Sequence, residues 1–294
     1  MRCIALAIAI TLTITLAPSA RAECISENAE AVTLANQGDA VVQVNVDEAI
    51  AKYEQALDAA RSSSRIAGKL AAAYEKKESW AMAAEALASA CKLDPTNAAY
   101  AFRLGRARLR LAKAGGGTYA DAREAFLAAV RLDPNWAEAH YELANVTLEL
   151  DDEKGALEEL TKAVQLGPAI AAHWAALADL YRRLNRLVEA SKVVGESARF
   201  TKEDFELGRV AGRVHDRAGE NDAAIASYES AKRACGSCGG SQAIIHFEIA
   251  RVYAKAKRTS EATVNLESFV KMVCKGAAAQ RYADECTQAQ AMMR

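Results

Sequence analysis

Residues 137–168 read AEAHYELANVTLELDDEKGALEELTKAVQLGP, and their periodicity decides the fold. Tyr141, Leu143, Ala144 and Leu148 fall on one face of a first helix. Ala156, Leu157, Leu160, Ala163 and Val164 mark a second helix with the same period. The polar turn Asp151-Asp152-Glu153 joins the two. Leu166-Gly167-Pro168 closes the unit, because proline has no N–H to continue the ladder and disfavours helix in the residue before it. Neither helix can bury its apolar stripe alone, so the unit needs neighbours on both sides.

The chain supplies them at a fixed period. Leu93-Asp94-Pro95, Leu132-Asp133-Pro134 and Leu166-Gly167-Pro168 end three such units, the last two 34 residues apart and the first two 39. Two helices per period of about 34 residues specify a helical solenoid.

The residues at matching places resemble the tetratricopeptide repeat family, whose pattern is W-x2-L-G-x2-Y in a first helix followed by A, F, A and P. Here Trp174, Leu177, Ala178 and Tyr181 are followed by Ala190, Val194 and Ser197. Leu70, Ala71 and Tyr74 precede Ala83, Leu87, Ala90 and Pro95. Leu104 and Gly105 precede Ala122, Phe126, Ala129 and Pro134, with extra residues near Gly115-Gly116-Gly117. Ala211 and Gly212 precede Ala224, Tyr228 and Ala231; Ile249, Ala250 and Tyr253 precede Ala262, Leu266 and Phe269. Small residues stand where two helices approach most closely, and a large side chain fills the space beside them. The resemblance implies an all-α right-handed solenoid of about seven helix pairs, with repeats two to seven starting near Ser64, Ala98, Ala137, Ala171, Phe205 and Ala243 across residues 64–276.

Residues 1–22 read as a secretory signal peptide: Arg2, a short apolar run, and Ala20-Arg21-Ala22 before a cut ahead of Glu23. The expectation is therefore an exported chain, periplasmic or secreted, with no transmembrane segment after cleavage. Loss of Arg2 and Arg21 leaves 35 basic and 38 acidic residues, a net charge of −3 that argues against a general nucleic-acid binder. Residues 23–63 read as an atypical first repeat, with Val41 to Val46 an extended loop and Asp47 an N-cap. Residues 277–294 read as one capping helix over the last apolar face.

Six cysteines remain after the leader: Cys24, Cys91, Cys235, Cys238, Cys274 and Cys286. An even count in an exported chain points to disulfides. Cys235-Gly236-Ser237-Cys238 reads as a clasp on a glycine-rich loop, against a redox or metal pair. Cys274 pairs with Cys286 in one reading and with Cys235 in another. Cys24 and Cys91 are left over, and Cys91 reads equally as a buried thiol.

Nothing in the chain asks to be an active site. There is no nucleophile elbow, HExxH or phosphate-binding glycine loop, so no enzyme activity, cofactor or metal is expected. Packing accounts for His140, His215 and His246, which stand at positions where the repeat pattern places aromatics. In the family the first helices line a concave face, and the resemblance places Arg106, Arg110, Arg182, Arg183, Arg209, Arg213, Arg217, Arg251 and Lys255 on it. Phe102, Tyr141, Asn145 and Phe247 are interleaved, with Asp179, Glu206 and Asp216 as the main acids. A non-enzymatic adaptor or scaffold follows, holding an acidic protein or peptide segment in a basic groove. The alternatives are an accessory subunit docking by its convex face and a binder of an acidic glycan or other polyanion.

Overall fold

A computed structural model describes residues 28–275 and 277–294. The expected signal peptide at 1–22 and Cys24 lie outside the described residues. Seven antiparallel helix pairs follow one another: α1 (Ala29–Val41) with α2 (Val46–Ala59), α3 (Ser64–Lys76) with α4 (Trp80–Leu93), α5 (Ala98–Lys113) with α6 (Tyr119–Leu132), and α7 (Ala137–Leu148) with α8 (Glu153–Leu166). They continue with α9 (Ala171–Arg183) and α10 (Leu187–Ser197), α11 (Phe205–Ala218) and α12 (Asn221–Cys235), then α13 (Ile244–Lys255) and α14 (Thr259–Val273). Each second helix packs on its partner and, up to α12, on the first helix of the next pair, so the architecture is an all-α solenoid with no strand among the described residues.

The pairs are held by the small-against-large packing that the sequence pattern expects. Phe126 and Tyr228 are buried second-helix residues, and they lie on Gly105 and Gly212 of the paired first helices. A Cβ on Gly212 would stand 2.5 Å from the Tyr228 ring. Alanines such as Ala71, Ala144, Ala178 and Ala250 take the corresponding place elsewhere and are fully buried.

The turn inside each pair is a second repeated device. Six first helices end on a residue of positive φ: Glu78, Gly115, Asp151, Asn185, Gly219 and Lys257. The next N–H then closes back five residues, as in Ser79 to the Tyr74 carbonyl (2.9 Å), Arg186 to Tyr181 (2.8 Å) and Arg258 to Tyr253 (2.9 Å). This left-handed helix stop favours glycine, yet four of the six positions carry side chains.

Three expectations are corrected. Val41 to Val46 is not an extended loop, because α1 runs to Val41 and a tight turn leads straight into α2. The N-cap of α2 is Asn45, whose side chain accepts from the Glu48 N–H, and not Asp47. The C-terminal cap is not one helix but two pieces, α15 (Ala277–Arg281) and α16 (Ala283–Met292), with α16 packed on α14.

The cysteines settle as two local pairs. Cys235 and Cys238 lie at disulfide distance with Cα atoms 5.0 Å apart, closing the loop after α12. Cys274 pairs with Cys286 at 5.6 Å and ties α14 to α16, so the Cys235–Cys274 alternative is excluded. Cys91 is half-buried on α4, and burial pushes its thiol up.

Lys257 at φ 60° should be improved by glycine. The left-handed conformation costs about 1–2 kcal/mol for an L side chain, and glycine's extra chain entropy costs roughly 0.5–1 kcal/mol. Lys257→Gly is therefore expected to raise stability by about 0.5–1 kcal/mol in urea unfolding. Gly212→Ala should do the opposite, because overpacking against Tyr228 costs roughly 1–3 kcal/mol against about 1 kcal/mol of helix propensity regained. An unchanged unfolding midpoint would contradict the close-approach account.

Candidate protein-binding groove

The first helices form one continuous wall. α5 touches α7, and α11 touches both α9 and α13, a closeness that recurs between no successive second helices among the substantial contacts. The row of first helices is thus the tighter, inner side.

Cross-repeat ion pairs run along this wall from one recurring position. Two residues before the small residue of each first helix stand Lys69, Arg103, Glu142, Ala176, Val210 and Glu248. Lys69 pairs with Asp39 of α1. Arg103 reaches back to Glu75 of α3 at 2.9 Å and donates to the Gly68 carbonyl. Glu248 receives Arg209 at 2.8 Å and Arg213 at 2.7 Å from α11, while Lys255 pairs with Asp216. Where Ala176 and Val210 hold the position, the joint is apolar: Ala176 packs at the edge of the cluster that contains Val210.

These contacts change the standing of four groove candidates. Glu248, which sequence reasoning passed over, is only 13% exposed and occupies both Arg209 and Arg213. Those two arginines are bound inside the solenoid and are not free contacts. Phe102 is also a correction: it is buried against Phe126 and Trp136. Phe247 is buried against Phe269.

The remaining candidates reach solvent to different degrees. Arg106, Arg110, Arg183, Arg217 and Arg251 are exposed on their helices, and Tyr141, Asn145 and Arg182 are half-buried. Arg110 lies over the Trp80 ring and Arg251 over Phe247, each at 5.9 Å from the ring centroid. Arg182 is engaged by Asp179 three residues before it, at 2.8 Å. On α7 the wall turns acidic. Burial and then Glu138 push the Glu142 carboxyl above the usual range, and Arg106 draws it the other way.

The histidines pack as expected. His140 is buried between Glu159 (2.5 Å) and the Pro134 carbonyl (2.9 Å). His215 meets Glu220 at 2.6 Å, and His246 meets Asn265 at 3.2 Å. No group of metal-ligating side chains occurs among the described residues.

The outer side holds clefts between successive second helices. The largest of those described, about 600 Å³, lies between α8 and α10 and is lined by Val164, Pro168, Trp174, Leu177, Tyr181 and Phe200. It opens where α10 stops at Ser197, after 11 residues against 14 for α8. Phe200, in the strap beyond, stacks on Trp174 at 5.9 Å.

Comparison with known proteins agrees with this geometry. The family model for the tetratricopeptide repeat matches three overlapping stretches, residues 39–98, 69–135 and 106–169. Residues 39–169 are tetratricopeptide repeats. Beyond residue 169 the same helix pairs continue in the structure. The C-terminal part of a TPR repeat-containing protein from Cytophaga hutchinsonii is similar with a TM-score of 0.65 at 13% identity, over 88% of this chain and 99% of that one. A tetratricopeptide repeat protein from Parabacteroides merdae gives 0.62 at 12% identity, over 89% and 99%. PilF of Pseudomonas aeruginosa gives 0.55 at 20% identity, over 77% and 97%. At these identities the likeness is one of fold. No curated protein matches the sequence.

Three outcomes test the wall. Glu248→Ala leaves two largely buried guanidiniums without their carboxylate and is expected to cost about 2–4 kcal/mol in denaturant unfolding. Arg182→Ala removes a helix-surface pair and should cost under about 1 kcal/mol. Glu142 has a folded pKa above its unfolded one, so its charged form opposes folding at neutral pH. Glu142→Gln should therefore raise the thermal midpoint at pH 7, and the gain should vanish as pH falls below the ordinary glutamate range.

Proposed function

We propose that this protein is a non-enzymatic adaptor of the cell envelope that holds a segment of another protein along its inner wall. Tetratricopeptide repeats bind proteins or peptides, and the fold suggests a scaffold for protein–protein interaction. The observation that carries the finer reading is a set of arginines left without an internal carboxylate. Arg183 and Arg217 are exposed, with no ion pair or hydrogen bond beside them among the described residues, while Arg209 and Arg213 nearby are held by Glu248. Arg106, Arg110 and Arg251 extend the stripe to the neighbouring first helices. Guanidinium forks on a wall of rigid helices suit carboxylates of an extended segment.

The envelope location rests on the sequence of residues 1–22, and two cysteine pairs at disulfide distance fit an oxidising compartment. No helix among the described residues is long and apolar enough to cross a membrane. A second reading has its own observation: the aromatic cleft between α8 and α10 on the outer side offers a docking surface for an accessory-subunit role.

Capture from an envelope extract separates the two. The native protein should retain one specific protein, and Arg183/Arg217/Arg251→Glu should weaken that retention by tenfold or more, since each reversed contact is worth roughly 1 kcal/mol. Retention unchanged in that variant, and lost when Trp174 and Phe200 become alanine, would transfer the function to the outer cleft.

A further inference from the structure

The joint between α7 and α9 contains a buried acceptor that the fold leaves without a donor. His173, the third residue of α9, is 0% exposed. Its Nδ1–H donates to the Ala163 carbonyl at the end of α8, 3.1 Å away. A carbonyl only accepts, so the proton sits on Nδ1 and Nε2 is a bare lone pair. Burial holds the imidazole below the usual histidine range, and it is neutral at pH 7. Nε2 has no hydrogen-bond partner.

What Nε2 faces is also an acceptor. Oε2 of Glu138 on α7 stands 4.0 Å away, and that side chain is 50% exposed. Glu142 follows one turn along the same helix; burial and Glu138 push its carboxyl up, while it accepts a hydrogen bond from Asn145 and is drawn down by Arg106 and Lys113. Tyr141, between the two glutamates in sequence, stacks its ring on the imidazole at 5.0 Å. The Glu138 carboxylate and the Nε2 lone pair face each other with no donor between them among the described residues, and the Glu138 side chain borders solvent.

One nitrogen can satisfy the pair. A donor about 2.8 Å from both Nε2 and Oε2 would subtend an angle of about 90° at a 4.0 Å separation, within reach of two N–H bonds of a single ammonium. We propose that Glu138 and Nε2 of His173 form a subsite for a lysine ammonium on the segment bound in the groove. The buried Nε2 is reached past the half-exposed Glu138 side chain, whose small adjustment admits the ammonium. Arg106 and Arg110 lie to one side on α5, and Arg183 to the other on α9. The fitting segment thus carries a lysine flanked by acidic residues, a charge order that a uniformly basic groove would not select. This rests on the adaptor reading only for the origin of the lysine.

The test uses the intact chain labelled at histidine, with Nα-acetyl-lysine methylamide as probe. The His173 ring signals, assigned by their contacts to the Tyr141 ring, should shift saturably. Glu138→Gln, a surface change that does not threaten folding, should weaken the apparent affinity at least tenfold. The uncharged norleucine analogue should produce no shift. Absence of a saturable shift, or an equal one in Glu138→Gln or with the norleucine probe, would overturn the subsite and leave the gap to water. Because the probe is a small amine, that failure is independent of partner capture by the arginine stripe.

Discussion

Every helix pair in this chain leaves an apolar edge that only the next pair covers. The α2–α3, α4–α5, α6–α7 and later joints are therefore as necessary as the pairs themselves, and the solenoid is a chain of nearest-neighbour contacts. The same constraint explains the special features at its end. α14 is followed by α15 and α16, and α16 closes its outer face, with Cys286 and Ala289 buried beside Phe269 and Val273. The Cys274–Cys286 pair fixes that closure across a separation of 12 residues.

Nearest-neighbour packing also decides what the inner wall offers. First helices crowd together there, so a charged side chain at the recurring position two before the small residue meets the preceding first helix before it meets solvent. Lys69, Arg103 and Glu248 are consumed in this way. Ala176 and Val210 are not charged, and the central joints are free of such stitching. Arg183 and Arg217 are exposed on these central helices and form no ion pair among the described residues. α7 breaks the basic run with Glu138 and Glu142, so the wall carries alternating rather than uniform charge.

Helix starts at Ser64, Ala98, Ala137, Ala171 and Phe205 were legible because their determinants are local: a small–large pattern of fixed spacing and helix-breaking proline or polar turns. The turn between α1 and α2 was not, because Val41 to Val46 alternates as a strand does while Asn45 supplies a helix cap that outweighs the alternation. Groove membership was legible only as a face. Phe102 and Phe247 share that face by register, but their bulk turns them inward onto Phe126 and Phe269. Glu248 left a signal in the sequence, the shared position with Lys69, Arg103 and Glu142, which becomes meaningful only when successive repeats are set side by side.

The sequence by itself determined the repeat, its period and its all-α character, because helix periodicity and close-approach residues act within about 34 residues of chain. Tertiary structure alone decided which arginines remain free and which cysteines pair. Arg209 and Arg213 meet Glu248 across 39 and 35 residues, and Cys274 reaches Cys286 rather than Cys235. An ion pair or a disulfide depends on distance in space between neighbouring repeats, and composition along one helix carries no measure of that distance.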